Sequence, residues 1–383
     1  MHHDNFARRN YRSNQIGTIT GVISMYDDFI IRANEKRNEY LLKTEELFLI
    51  NKNRWFANFV EHFRDLCTQI RKLQDDMALS AITFLEYTIL YSNFIDRRYI
   101  ADIFVYGDKS YLDKSQHCIG EYDVSFLFIN YGELWDDLSK LRKRYVGKVT
   151  AHEVKSFMLQ SLPDFCSYLA IIARNAIMEC IDKGLLSSID KNKKFMVSVS
   201  DYMVEVEPVY IETKNKDAKK LAKWLGEQLD YKYTFGDYSH LDFSEKIFEN
   251  IDLRYSQFRG STLKNTNFDG SVFFGTNFRY ANMEDCRLDN CFLNEADFSN
   301  AMLKNSSFKF ALAGAGVADE DTWSGPGLMP ISFRNANLTN ADFTRADLRG
   351  ADFTGAILTG ANFSGTILNN AIFDDNIDIG INK

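Results

Sequence analysis

Residues 341–373 read ADFTRADLRGADFTGAILTGANFSGTILNNAIF and place Phe or Leu at every fifth position. The same spacing, with one Met, runs from Phe243 to Phe308 and from Phe333 to Phe373, which gives 14 and 9 units in phase. A strand alternates over two residues and a helix returns after 3.6, so both lose phase with a period of five. A coil that turns a corner after every unit keeps this phase, and the period therefore predicts a repeat solenoid.

Each unit also has a small residue two positions before its centre, as Ala351 precedes Phe353, and most often Asp or Asn between the two. We expect the central and the small residue to point inward, because a large side chain at the small position would overfill a close-packed interior. The first coil departs from the pattern, as terminal repeats that cap a stack usually do. Its small positions hold Leu241, Lys246 and Ile251.

This pattern resembles that of the pentapeptide-repeat family from about residue 239 to residue 375. The resemblance implies a right-handed quadrilateral β-helix, a solenoid with four pentapeptides in each coil. Because Phe and Leu alternate after Phe333, two opposite walls would carry Phe ladders and the other two Leu ladders. The structural ladder predicted in this way contains Phe343, Leu348, Phe353, Leu358 and Phe363.

The repeats are interrupted at 309–332 by KFALAGAGVADEDTWSGPGLMPIS. Its four Gly and two Pro predict an inserted loop, and the alternative is a degenerate coil. Phe308 and Phe333 lie 25 residues apart where 5 is usual, so we expect 20 extra residues and an unchanged wall phase. A loop on a rigid scaffold is a frequent place for recognition. Our hypothesis for a partner-binding site is Asp319, Glu320, Asp321 and Trp323.

Residues 1–232 have helical instead of five-residue spacing and are predicted to form an α+β domain, mostly helical with one β-hairpin. Residues 195–211 alternate with period two around Ser200-Asp201 and predict the hairpin. Pro163 is expected to break the chain before the last long helix, and Gly184 to end it. The long helices are predicted within 26–50, 55–73, 135–145 and 165–181.

A short helix at 217–229 is predicted to lead into the second domain, 233–383, which contains the repeats and the insertion. The N-terminus lacks a hydrophobic signal core, and Arg174 interrupts the most apolar run before it reaches the length of a membrane span. Six cysteines without close pairing indicate reduced thiols. We therefore expect a cytoplasmic protein of bacterial type that is not bound to a membrane.

Negative charge is concentrated in the repeats. Residues 241–383 hold 19 acidic and 12 basic residues, whereas residues 1–240 hold 34 and 33. An acidic rod repels nucleic acid, because duplex binding needs cationic side chains. The sequence has no phosphate-binding, zinc-binding or nucleophile-elbow motif, so we expect no catalytic residue, no cofactor and no metal.

These observations favour a non-catalytic protein-interaction scaffold whose protein partner the sequence does not identify. The alternative that the family resemblance implies is a DNA-mimicking inhibitor or protection factor of a type II topoisomerase such as gyrase. A second alternative is an accessory role or an unrecognised enzymatic activity in the N-terminal domain. A homodimer is compatible with the sequence.

Overall fold

The described chain divides into two compact units between Lys214 and Asn215. We call the part up to Lys214 the α/β unit and the part from Asn215 the β-helix unit. The division lies at 214 instead of the predicted 232, because the short helix before the repeats packs with the repeats. The computed structural model describes residues 24–107, 117–201, 205–229, 232–315 and 328–374.

The α/β unit combines long helices with a five-stranded mixed sheet. The sheet order is β3-β2-β1-β4-β5, in which β1 runs parallel to β4 and every other neighbouring pair is antiparallel. The strands are β1 Ile82–Ile89, β2 Ile100–Tyr106, β3 His117–Asp123, β4 Lys191–Asp201 and β5 Glu205–Thr213. The helices are α1 Met25–Asp75, α2 Tyr91–Ile95, α3 Ile129–Arg142 and α4 Ala151–Asp182, followed by a 3-10 turn at Leu185–Ser188.

The predicted hairpin is present as β4 and β5, but it forms one edge of a larger sheet. Strand β4 continues through Ser200, which pairs with Val206, so the chain does not reverse at Ser200-Asp201. The other three strands are absent from the sequence prediction. Strand β1 is a short and mostly apolar run, and periodicity alone does not separate a buried strand of this kind from a buried helix.

Two helix predictions need correction, and one is confirmed. Helix α1 joins two predicted helices into one of 51 residues. Helix α4 continues through Pro163, where we predicted a break. Pro in a helix interior costs about 3 kcal/mol, and the buried side chains of Leu162 and Phe165 on either side provide packing that offsets this cost. Gly184 ends the helix as predicted, with a left-handed φ of +69°.

Helix α4 is long and apolar enough, by length and composition, to cross a membrane, which the sequence analysis did not anticipate. However, 61% of its most apolar stretch is buried inside the protein, as in an ordinary core helix. Arg174 lies within it and is paired with Glu207 of β5, with 2.6 Å between Nη2 and Oε1. These contacts are those of a helix that packs against its own protein.

The repeats form a right-handed β-helix. Outward residues 20 positions apart make parallel bridges, as Val272 does with Phe292, so each coil contains four five-residue units. Ser, Thr and Cys at the small position donate to a carbonyl oxygen of the coil before, as Thr276 Oγ1 does to Leu253 at 2.8 Å. The buried central residues begin with Tyr233 and Tyr238, before the first predicted unit.

Helix α5, Ala218–Leu225, packs on the first coil. Leu225 belongs to the same buried core as the central residues, and the Trp224 ring meets the Tyr233 ring edge to face at 4.7 Å. Lys216 Nζ contacts Asp237 Oδ1 at 2.7 Å, and both side chains are largely buried. The helix therefore covers the apolar end of the stack, which a terminal repeat would otherwise expose.

The frequent Asp and Asn between the two inward residues have a structural role. Oδ1 of Asp342 accepts the backbone N–H of Thr344 at 2.9 Å, and Oδ1 of Asp352 accepts that of Thr354 at the same distance. These Asx turns help to shape the corner. The corner residue, two after most centres, has a left-handed φ, as at Asn340 (+59°), which explains the many Asn and Gly there.

The Phe ladders are present as predicted. The rings of Phe333 and Phe353 stack at 5.1 Å and 10°, and those of Phe353 and Phe373 at 4.8 Å and 6°. Phe343 and Phe363 stack at 5.1 Å in the second ladder. Across the interior the two ladders meet edge to face, with 5.8 Å between the centroids of Phe353 and Phe363. Each ring thus has aromatic contacts both along and across the rod.

The insertion is narrower than the predicted 309–332. Leu312 bridges Phe292 on one side and Asp347 on the other, and Ala313 is fully buried at a central position. Residues 309–313 therefore form a regular unit. Ser332 likewise bridges an outward residue of the coil before.

The prediction of an unchanged wall phase is wrong. Bridges across this coil join residues 35 apart where 20 is usual, so the coil holds 15 extra residues instead of 20. Phe333 consequently stacks on Phe298, at 5.3 Å and 12°, and does not occupy the wall after Phe308. The wall after Phe308 is occupied by Ala313. Because Ala is not one of the large residues that mark the other centres, this unit is not recognised in the sequence pattern.

We expect Phe353→Ala to lower the free energy of unfolding of the β-helix by about 3 to 5 kcal/mol, because the ring is fully buried and its removal leaves a cavity. Phe373→Ala is the matched control, since its ring is only partly buried on the last coil, and it should cost less. Denaturant unfolding of both variants measures the difference. Equal destabilisation would contradict the ladder packing.

Candidate functional site

The predicted site residues fall into two groups. The partner-binding hypothesis at Asp319, Glu320, Asp321 and Trp323 lies outside the described residues. The structure places the ladder residues inside the rod, where they support the walls and do not face a partner. Phe343, Leu348, Phe353 and Phe363 are buried, and Leu358 is partly buried.

The surface that stands out among the described residues is one outer wall of the β-helix. We call it the Phe292 face. Its bridged outward residues are, in order along the rod, Asp252, Val272, Phe292, Leu312, Asp347 and Ile367. The three in the middle are apolar and lie on consecutive coils. On the other three walls, within the described repeats, no two consecutive outward residues are apolar.

The apolar side chains of this face are accessible to a partner. Phe292 is 46% exposed and Leu312 44%. Phe310, at the corner before Leu312, is 47% exposed. At the opposite corner Phe274 follows Val272, and its ring meets Tyr255 edge to face at 5.6 Å. Adjacent large apolar groups on an outer surface are typical of an interaction site.

An ion pair closes each end of the apolar strip. The Arg254 guanidinium donates to Asp252 from Nε, at 2.9 Å to Oδ1, and from Nη2, at 2.7 Å to Oδ2. Arg349 contacts Asp347 through the same two atoms at the same two distances. The hydrogen bonds and charge of Asp347 raise the pKa of Arg349. An apolar centre with a charged rim is the usual anatomy of a protein interface.

The sequence analysis missed this face although a signal is present. Asp or Asn is the most frequent residue at the outward position, and Val272, Phe292 and Leu312 are exceptions spaced by 20 residues. Twenty residues is one coil, so the exceptions are neighbours in space. The third lies inside the segment that we assigned to a loop, which hid the series.

The buried cysteines of both units are poorly suited to nucleophilic catalysis. Burial raises the pKa of the thiols of Cys67 and Cys180 to about 12, so they are protonated at neutral pH and poor nucleophiles. Burial also raises the pKa of Cys286 and Cys291 to about 12, and both donate to backbone carbonyls inside the β-helix. In the part of the chain that the structure describes, His, Cys, Asp and Glu form no group that could hold a metal.

His62 on α1 is a histidine whose imidazole packs among aromatic rings. Its ring centroid lies 4.3 Å from that of Tyr122 on β3, and its Nε2 atom is buried without a hydrogen-bond partner. The hydroxyls of Tyr87 and Tyr122 are likewise buried and without a partner. Burial lowers the pKa of His62 to about 4. The imidazole is therefore neutral at pH 7 and packs as an aromatic ring.

The low pKa of His62 makes the α/β unit sensitive to acid. Because the folded pKa lies below the unfolded value, the neutral ring contributes stability above about pH 6.5, and this contribution is lost as the pH falls toward 4. The full effect would be roughly 3 kcal/mol. We expect His62→Phe to lose less stability than the native chain between neutral and acidic pH in denaturant titrations.

The control for this measurement is His152→Phe, since His152 is exposed near the start of α4. Its replacement changes no buried group, so any effect that it shares with His62→Phe would come from the general change of a His to a Phe. If His62→Phe and the native chain lost the same stability on acidification, the buried imidazole would not be the cause.

The stacked walls and their inward ladders define the class of the β-helix unit. The pentapeptide-repeat family model matches eight copies, over residues 251–290, 281–311 and 331–375. Residues 251–375 are therefore a pentapeptide-repeat region, as the sequence resemblance indicates. The α/β unit lies outside this match. No curated protein matches the chain.

Several solved structures are similar to part of the chain. A pentapeptide-repeat protein from the Arabidopsis thaliana thylakoid lumen is 20% identical, with a TM-score of 0.22, over 33% of this chain and 73% of its own. HetL from Nostoc sp. strain PCC 7120, involved in heterocyst differentiation regulation, is 16% identical, with a TM-score of 0.14, over 43% and 99%.

QnrB1, a plasmid-mediated fluoroquinolone resistance protein, is 21% identical, with a TM-score of 0.20, over 36% of this chain and 77% of its own. At identities and TM-scores this low, the roles of these three proteins do not transfer to this chain.

Proposed function

We propose that this chain is a non-catalytic protein-binding scaffold, in which a quadrilateral β-helix presents the Phe292 face to a protein partner. The observation that carries the proposal is the row of three outward apolar side chains on consecutive coils, with an ion pair at each end. Burying such side chains gives roughly 25 cal/mol per Å². The rigid stack holds them in place, so little conformational entropy is lost on binding.

The alternative, a DNA mimic that binds a type II topoisomerase, needs carboxylates that are free to imitate phosphates. Many carboxylates of the described repeats are engaged within the protein instead. Some accept backbone N–H groups in Asx turns, and others pair with cations. The paired ones include Asp252 with Arg254, Asp347 with Arg349, Asp352 with Arg334 and Glu284 with Lys264.

The buried, protonated thiols and the ungrouped titratable side chains of the described α/β unit give no support to the second alternative, an enzyme in that unit. Reduced thiols also support our placement of the protein in the cytoplasm. We expect no membrane and no nucleic acid among its partners.

We expect Phe292→Asp to abolish partner binding without unfolding the chain. The variant removes the centre of the apolar strip and adds a charge that a partner would have to desolvate. Asp occupies the outward position at many other units, including Asp252 and Asp347 on the same wall, so the fold should tolerate it. The measurement is a pull-down from source-cell lysate with the tagged full chain, read by mass spectrometry.

The matched control is Met302→Asp. Met302 also occupies an outward position, on a different wall, and it is 44% exposed. Loss of the same proteins with both variants would point to a general effect of charge and would contradict the Phe292 face. Recovery of gyrase or topoisomerase IV subunits, lost with Phe292→Asp alone, would identify the partner as a topoisomerase.

A further variant tests the acidic and aromatic residues of the insertion in the same pull-down. We expect a variant with Ala at Asp319, Glu320, Asp321 and Trp323 to fold normally and to recover less partner. Substitution in place is preferable to deletion of 311–330, because Leu312 and Ala313 belong to the wall. Equal recovery by this variant would exclude these four residues from the binding site.

A further inference from the structure

We infer that the partner of the Phe292 face is a second copy of this chain, related by a two-fold axis that passes through Phe292. This inference rests on the proposed function, since it identifies what occupies the same face. A two-fold interface places one surface against itself, so each residue must suit the residue that the rotation brings opposite. The Phe292 face meets this requirement along its length and across its width.

Along the rod the face is nearly symmetric about Phe292. Going outward in either direction, the next residue is aliphatic, Val272 or Leu312, and the one after it is an Asp, Asp252 or Asp347. In a dimer with antiparallel rods, the two Phe292 rings would meet at the axis. Val272 of each copy would lie opposite Leu312 of the other.

Across the face the corners are also related by the rotation. Phe310 lies at the corner before Leu312, and Phe274 with Gly275 lies at the opposite corner after Val272. The two-fold axis of a dimer with antiparallel rods lies between the two faces and perpendicular to the rods, so it reverses the order of the coils and keeps each corner on the same side. Phe310 of one copy therefore comes opposite Gly270 of the other, and Phe274 comes opposite Gly314. Gly270 and Gly314 carry no side chain, so each leaves room for the incoming aromatic ring.

The charged ends add no net charge to the interface, although Arg254 of one copy comes opposite Arg349 of the other. Asp252 with Arg254, and Asp347 with Arg349, each form a neutral pair at one end. The dimer would bring one pair of each kind together at both ends, with no net charge.

The size of the face predicts a reversible dimer. Asp252 and Asp347 are four coil spacings apart, roughly 19 Å at about 4.8 Å per spacing. A face of that length and similar width covers about 400 Å² on each copy, half of the ~800 Å² per partner that is usual in stable complexes. We therefore expect monomer and dimer to exchange, with a dissociation constant in the micromolar range.

The first test is sedimentation velocity of the purified full chain over the micromolar range. The native chain should shift from monomer to dimer as concentration rises. Phe292→Asp should weaken the dimer by at least about tenfold, or about 1.4 kcal/mol, and Met302→Asp should leave it unchanged. A native chain that stays monomeric at the highest concentration would overturn the inference.

The second test is specific to the axis. A residue on a two-fold axis lies against itself, so Phe292→Cys should form a disulfide between two copies under mild oxidation, whereas Met302→Cys should not. Both are made in a Cys118→Ser background, because Cys118 is exposed. A dimer that forms no Phe292→Cys crosslink, or that crosslinks equally through Met302→Cys, would overturn the proposed axis.

The two proposals can fail separately. A monomeric native chain whose pull-down partners are lost with Phe292→Asp would reject the second copy and leave the Phe292 face as a binding site for another protein. A native dimer that is unaffected by Phe292→Asp would reject the proposed axis, and the pull-down with Phe292→Asp would then decide separately whether the Phe292 face binds another protein. A dimer lost with Phe292→Asp, and crosslinked through Phe292→Cys, would support both.

Discussion

The width of the β-helix interior is the constraint on which the rest of the repeat structure depends. Each unit sends one large and one small side chain inward, and these side chains are buried between successive coils. The small positions bring neighbouring coils into hydrogen-bond contact through Ser, Thr and Cys, and the large ones build the aromatic ladders. A side chain that is too large would separate the coils, and one that is too small would leave a cavity.

This constraint explains why the solenoid could be predicted from sequence. The inward positions accept few residue types, so they repeat visibly, and the Phe ladders after Phe333 follow from the alternation of Phe and Leu. The α/β unit has no comparable repeat. Of its three unpredicted strands, β1 and β2 are short and mostly apolar, whereas β3 is mostly polar and gives no clear strand signal. Helix α4 tolerates Pro163 because packing on both sides outweighs one lost hydrogen bond.

The candidate site could not be predicted in the same way, because outward positions are free to vary. Val272, Phe292 and Leu312 are far apart in sequence, and only the coil length makes them neighbours. The coil length is regular except in the coil that contains the insertion. There Ala313, a small central residue, makes a normal unit look like part of a loop in the sequence. His62 shows the same limit in the α/β unit, since its helix position gives no sign of the sheet residue Tyr122 that covers it.

The coil length of 20 residues also determines which outward side chains become neighbours on a wall. Loss or gain of one pentapeptide within the stack would rotate every later unit by one wall, so outward side chains that now form a row would be spread over different walls. Loss or gain of a whole coil would only change the length of the rod. The 15 extra residues after Ala313 do neither, because the walls at Ala313 and Phe333 on either side of them follow each other in the normal order. Selection that preserves a composite surface should therefore permit length changes there and oppose them almost everywhere else in the rod.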